Sequence, residues 1–158
     1  MSQPSSLRPH SGLGRIMPLI GRLTSLVRCQ VSRICQAAGY RITPEEADTL
    51  MINRHCNGIS QTHLATILGK DKAAVTRLID ALVRSRLVGR VRDEQDRRVI
   101  WARITEEGER AFEDIWPELM DLSGQALAGI DEEDLRHLER TLTAINTNLG
   151  RIEGADCA

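Results

Sequence analysis

The side chains in this sequence best suited to chemistry are guanidinium groups set close to carboxylates. Ten basic and five acidic residues fall between Ser60 and Thr105, a local charge of +5, and they culminate in Arg92-Asp93-x-x-Asp96-Arg97-Arg98. A guanidinium oriented by a carboxylate is a donor fork for phosphate, or for the narrow minor groove of DNA where negative potential is enhanced. A second cluster, Lys72, Ala73, Ala74, Thr76 and Arg77, offers small residues, a hydroxyl and two cations at helical spacing, the kind of face that reaches base edges.

The other reactive residue types do not assemble. His55, Cys56 and His63 are near one another, but a helix end and a Gly-containing turn separate them and the next histidine is His137, so no metal site is expected. Cys29, Cys35, Cys56 and Cys157 form no CxxC pair, which argues against a zinc knuckle or a disulfide framework and for reduced thiols. Cys29 and Cys35 lie about 240° apart around a helix and cannot stack on one face. A Gly-rich phosphate loop, a nucleophile elbow and a clustered Cys/His/carboxylate set are all missing, and only four aromatic residues are present to line a pocket. Neither an enzyme nor a cofactor is expected.

Charge is strongly partitioned. Residues 1–59 carry +4 and residues 106–158 carry −10, so the net −1 conceals a basic central stretch beside an acidic body. No apolar run approaches the roughly 18 residues needed to span a bilayer, and the start lacks a basic-then-apolar leader pattern. No membrane association and a cytoplasmic location are expected.

The elements that must position these residues follow from local signals. Residues 1–14, rich in Ser, Pro and Gly, read as a disordered tail. Leu19, Leu23, Leu26, Val27, Val31, Ile34 and Cys35 then mark one face of a first helix that Gly39 ends. Thr43-Pro44-Glu45-Glu46 starts a second helix as a capping box, with Ala47, Leu50, Met51 and Arg54 on one face, and Asn57-Gly58 stops it.

Ser60 caps a third helix, with Ile59 and Leu64 as a hydrophobic staple, and Gly69 supplies the turn. Asp71 caps a fourth, whose buried stripe is Val75, Leu78, Ile79, Leu82 and Val83 and whose outward residues include Asp80 and Arg84. Leu87–Arg92 and Val99–Ile104 pair as a two-stranded wing around the charged tip. Thr105 and Asp131 cap the last two helices. Pro117 should bend the fifth, and Leu135, Leu138, Leu142, Ile145 and Leu149 give the sixth a narrow seam for another helix.

This order of elements, with Leu64-Ala65 through Val75-Thr76-Arg77-Leu78-Ile79-x-x-Leu82 and then Arg92-Asp93-x-x-Asp96-Arg97-Arg98-x5-Ile104-Thr105-x-x-Gly108, resembles the MarR family of bacterial transcription regulators over roughly Ile16 to Leu149. The resemblance implies a mainly α winged helix-turn-helix with N- and C-terminal dimerisation helices. Residues 15–150 form one such domain: the winged lobe is 43–104, the dimerisation helices are 15–39 and 105–150, and 151–158 is a frayed tail.

It also implies a homodimeric repressor that binds double-stranded DNA at a pseudo-palindromic operator and is released by a small aromatic or phenolic effector, which Arg15 or Arg22 could pair. DNA contacts are assigned to Ser60, Gln61, Thr62, Lys72, Ala73, Ala74, Thr76, Arg77, Arg84, Asp96, Arg97 and Arg98, with Arg98 in the minor groove oriented by Asp96. Dimerisation is assigned to Leu19, Leu23, Leu26, Leu135, Leu138, Leu142, Ile145 and Leu149.

Two departures from the family matter. Its hydroperoxide sensors carry a reactive Cys near the start of the first helix, a place that falls close to Leu19 here. Its zinc sensors place His on the fifth helix, and residues 106–128 contain none. The alternatives carried forward are a cysteine-based redox regulator of the same fold and a winged protein-interaction adaptor that does not touch DNA.

Overall fold

Capping side chains and apolar spacing produce the elements in the expected order. The structure, a computed structural model, describes residues 13–93 and 99–156, excepting the side chains of Leu13 and residues 151–156. Most of the N-terminal tail, the tip residues Asp96, Arg97 and Arg98, and Cys157 therefore lie outside the described residues. The elements are α1 (Leu13–Ala37), α2 (Pro44–Cys56), β1 (Ile59–Ser60), α3 (Gln61–Leu68), α4 (Lys72–Arg84), β2 (Val88–Arg92), β3 (Ile100–Ile104), α5 (Glu106–Ala126) and α6 (Glu132–Asp156). The chain divides after Met120 into two units.

In the first unit, α2 begins as its sequence dictates. Thr43 Oγ1 accepts from Glu46 N at 3.2 Å, and Glu46 Oε2 accepts from Thr43 N at 2.9 Å, so two otherwise orphaned donors are satisfied reciprocally. Asn57, left-handed at φ 49, closes the helix. Its buried face differs from the expected one: Ala47, Thr49, Leu50 and Asn53 are inside, Met51 is half-buried and Arg54 is exposed. Both buried polar residues donate within the helix, Thr49 Oγ1 to Glu45 O at 2.7 Å and Asn53 Nδ2 to Thr49 O at 3.1 Å, while Asn53 Oδ1 is buried with no hydrogen-bond partner among the described residues.

The core gathers the apolar faces of α2, α3 and α4 against one side of a small sheet. Leu50, Ile59, Leu64, Val75, Ile79, Leu82 and Val88 are almost wholly buried within it. Each such aliphatic side chain contributes about 1.5–3 kcal/mol of burial. Val31 and Cys35, four residues apart on α1, reach the same core.

The wing contains one strand more than the expected two. β1 pairs antiparallel with β3 (Ile59 opposite Ala102, Ser60 opposite Trp101), giving the order β1-β3-β2. The expected hairpin is present in the register Val88 with Ile104 through Arg92 with Ile100. Two residues between a helix stop and a helix cap carry no local strand pattern, so β1 exists only because β3 lies beside it.

Thr105 joins the wing to α5. Its hydroxyl accepts from Gly108 N at 3.0 Å and donates to Arg86 O at 2.6 Å, while its own N–H donates to Leu87 O at 3.1 Å. Gly108 permits this approach, since a Cβ built there would stand 2.1 Å from Leu87 O. Pro117 is accommodated inside α5, withholding the N–H that would bond the Glu113 carbonyl. In the second unit, Asp131 Oδ1 accepts from Asp134 N at 2.8 Å and starts α6, along which Leu135, Leu142 and Ile145 are half-buried and Leu138 and Leu149 exposed. Among the described residues, no helix is long and apolar enough to cross a membrane.

Candidate nucleic-acid interface

The two-helix reading unit is built by caps at each end of a tight turn. Ser60 Oγ accepts from His63 N at 3.2 Å to start α3, with Ile59 and Leu64 both buried at the staple positions. Gly69, at φ 59, turns the chain after α3, a conformation that costs a Cβ-bearing residue about 1 kcal/mol or more. Asp71 Oδ1 then accepts from Ala74 N at 2.7 Å and starts α4. With Val75, Leu78, Ile79 and Leu82 committed to the core, the helix presents Lys72, Ala73, Arg77 and Arg84 to solvent, with Ala74 and Thr76 half-buried beside them. Gln61 is half-buried and Thr62 exposed at the start of α3.

Two hydrogen bonds refine what this face can do. Thr76 Oγ1 donates to Lys72 O at 2.8 Å, so its proton is used within the helix and its lone pairs remain to accept, for example from an adenine or cytosine amino group. Lys70 is drawn back toward the lobe: its Nζ lies 3.3 Å from Glu45 Oε1, the same oxygen that Arg28 Nη1 of α1 approaches at 3.3 Å. The two cations, Lys70 foremost, hold the Glu45 carboxyl below its usual range.

On the wing, Trp101 Nε1 donates to Asp93 Oδ2 at 2.9 Å, fixing the base of the tip. Arg90 of β2 pairs with Asp80 of α4. Arg92 and Arg103 are exposed. The structure thus brings the α3 and α4 candidates into one lobe with the wing strands, while Asp96, Arg97 and Arg98 are outside the described residues.

A concave site that sequence reasoning missed lies between α2 and α5. Phe112 and Trp116 stack with ring centroids 5.2 Å apart, and His55 meets them at 6.3 and 5.9 Å. Arg54 forms an ion pair with Glu109 and sits 5.7 Å from the Phe112 centroid. These residues line a cavity of about 320 Å³. His55 Nδ1 lies 2.9 Å from Met51 O, an acceptor, so Nδ1 carries a proton and donates it there. The i, i+4 spacing of Phe112 and Trp116 was the available signal, but their meeting with α2 is a tertiary fact. Arg15 and Arg22 are exposed on α1 and are not among the residues lining this cavity.

Of the thiols, Cys29 and Cys56 are exposed, and Cys35 is buried, with burial pushing its pKa up. Among the described residues, no three His, Cys, Asp or Glu side chains come together as a metal-holding group.

Known proteins share this arrangement. The family profile described as MarR family matches residues 42–100. The uncharacterized HTH-type transcriptional regulator YdgJ of Bacillus subtilis (strain 168) is 30% identical over 112 residues, covering 71% of this chain and 68% of that protein. CouR from Rhodococcus jostii RHA1, solved bound to p-coumaroyl-CoA, is 26% identical with a TM-score of 0.73 over 85% of this chain and 94% of its own. MepR of S. aureus, solved as a DNA complex, shares the fold at 20% identity with a TM-score of 0.78 over 88% and 99% of the two chains. The capped reading unit, the three-stranded wing and these likenesses together place the chain in the MarR family, as a winged helix-turn-helix transcriptional regulator that binds DNA and is not an enzyme.

Proposed function

We propose that the protein is a homodimeric repressor that reads a pseudo-palindromic operator and leaves it when a small aromatic ligand binds. The observation that carries the reading is α4. Val75, Leu78, Ile79 and Leu82 are committed to the core, and the face left over presents Lys72, Ala73, Arg77 and Arg84 to solvent with Thr76 half-buried beside them. Thr76 and Arg77 contact bases; Lys72, Arg84 and the N-terminus of α3 at Ser60, Gln61 and Thr62 contact phosphates. Arg98, oriented by Asp96, enters the minor groove, and Arg97 meets a phosphate.

Dimerisation is supported by exposed apolar residues on the terminal helices. Leu19, Leu23 and Leu26 of α1 are 62%, 56% and 53% exposed, and Leu138 and Leu149 of α6 are 45% and 49% exposed. Stripes of this kind are stable in water when a second copy covers them. Two lobes then hold their α4 helices about 34–36 Å apart, in successive major grooves. For release, the slot of Arg54, His55, Phe112 and Trp116 combines stacking rings with a cation, which an aromatic carboxylate would pair by displacing Glu109. The p-coumaroyl-CoA held by CouR is an aromatic thioester ligand of a related regulator.

For the redox alternative, burial disfavours the thiolate of Cys35, which leaves the exposed Cys29 and Cys56 as the described thiols open to an oxidant. Titration of the full chain with mixed duplex DNA at two salt concentrations tests the central reading. Engagement of about 6–10 phosphates by the dimer predicts a loss of about 10³–10⁵ in affinity between 50 and 200 mM salt. Salt-insensitive or undetectable binding would refute the DNA-reading role and favour the adaptor.

A further inference from the structure

The outward positions of α4 include one carboxylate, Asp80, three residues beyond Arg77. A negative charge on a face that meets phosphates opposes binding, so its presence needs a cause. Asp80 Oδ1 accepts from Arg90 Nη2 at 2.5 Å, and the two side chains are 38% and 35% exposed. Arg90 lies opposite Ala102 and two residues beyond Val88, on the strand face that holds those buried residues, and so extends from the inner side of the sheet toward α4.

Beyond Val88 the strand leaves the core, and β2 is an edge strand paired only with β3. β1 holds β3 as far as Trp101, but the outer part of the edge strand β2 has no such neighbour on its other side, so its attitude toward α4 rests on a side-chain tie. Among the described residues, the ion pair that makes this tie is Asp80 with Arg90.

We propose that Asp80 is a positioning residue for DNA recognition: paired with Arg90, it fixes the attitude of the wing relative to α4, so that both parts of one lobe meet DNA in a single register. The proposal rests on the DNA-reading geometry proposed above. Replacing Asp80 by Ala, which removes both the charge and the acceptor, has two consequences of opposite sign. Loss of the charge favours binding to any duplex, and loss of the tie weakens binding only where register matters.

The test uses the full chain, a duplex selected from a random pool by the wild-type protein, and the same duplex with its sequence shuffled, at one salt concentration. For Asp80→Ala, affinity for the selected duplex should fall about 3–5-fold, the upper range for an exposed ion pair, while affinity for the shuffled duplex holds or rises. In the DNA-free protein, hydrogen exchange should quicken at the amides of Arg90–Arg92 and of Ile100, which lies beyond the β1 pairing, with α2 and α4 keeping their protection. Arg90→Ala should reproduce that exchange pattern, and the double variant should add nothing to it.

Equal changes on both duplexes would reduce Asp80 to a simple charge and overturn the proposal. Unchanged hairpin exchange would overturn it too, as would protection lost throughout the lobe, which makes the pair a general stability element. A wild-type protein that selects no duplex and shows no salt-sensitive binding would instead remove the DNA-reading premise, before any variant is compared.

Discussion

Gly108→Ala should destabilise the protein although it replaces glycine by the best helix former inside a helix. Helix propensity alone favours the change by about 1 kcal/mol. Against this, the new Cβ would stand 2.1 Å from the Leu87 carbonyl oxygen and 2.7 Å from Ile104 Cγ1, where ordinary contacts begin above 3 Å. The first obstacle is backbone and cannot rotate away, so the start of α5 must retreat by about 1 Å from the root of the wing, an overpacking strain of about 1–3 kcal/mol.

That retreat also stretches two bonds made by Thr105, N–H to Leu87 O at 3.1 Å and Oγ1 to Arg86 O at 2.6 Å. Each contributes about 1 kcal/mol. The net expectation is a loss of about 2–4 kcal/mol, most of it strain and lost bonds. Urea unfolding at a fixed protomer concentration measures it as a midpoint lowered by about 1–2 M with little change in slope. Gly124→Ala is the internal control: it lies in the same helix with nothing within 4 Å, and should stabilise by about 0.5–1 kcal/mol. A Gly108→Ala protein as stable as wild type would refute the close-approach argument. So would equal losses at positions 108 and 124, since contact would then not be the cause.

Three further outcomes are expected. Arg77→Ala should cost about 1–3 kcal/mol on a selected operator and relax the sequence preference at one position, as read by binding to single-substituted sites; a uniform loss on all duplexes would make Arg77 a phosphate contact. Asp71→Ala removes the acceptor for Ala74 N and should cost about 0.5–2 kcal/mol of stability in chemical denaturation, whereas Asp71→Asn, which keeps an acceptor oxygen, should retain most of it. Tyr40 donates to Asp114 Oδ2 at 2.7 Å, and this bond, foremost, pushes its pKa up to about 12 from an ordinary value near 10. The folded state thus holds a proton that the unfolded state gives up first. The contribution is complete below pH 10 and is lost as pH rises toward 12, and Tyr40→Phe should flatten that limb of the melting-temperature profile.

The helix boundaries were legible because the interactions that set them span three or four residues. Thr43 with Glu46, Ser60 with His63, Asp71 with Ala74 and Asp131 with Asp134 are all bonds from a cap to its own first turn. Contacts over longer separations were not legible. β1 pairs residues about forty positions apart, the α2–α5 aromatic slot joins His55 to Phe112 and Trp116, and Arg28, Glu45 and Lys70 meet from three different segments. The inward turn of Thr49 and Asn53 was also hidden, because periodicity counts apolar residues and these are polar side chains whose hydroxyl and amide N–H groups donate to carbonyls of their own helix.

By itself the sequence determined the order of elements, the caps, the basic reading stretch and the family pattern, since each is written in residues adjacent along one strand or one helical turn. Tertiary structure decided how those parts are tied together: Asp80 to Arg90 across the lobe, Thr105 and Gly108 at the root of the wing, and Lys70 turned away by Glu45. The division follows from range. Backbone capping and side-chain period act within a turn, whereas an ion pair or a close approach exists only once distant segments have been packed against one core.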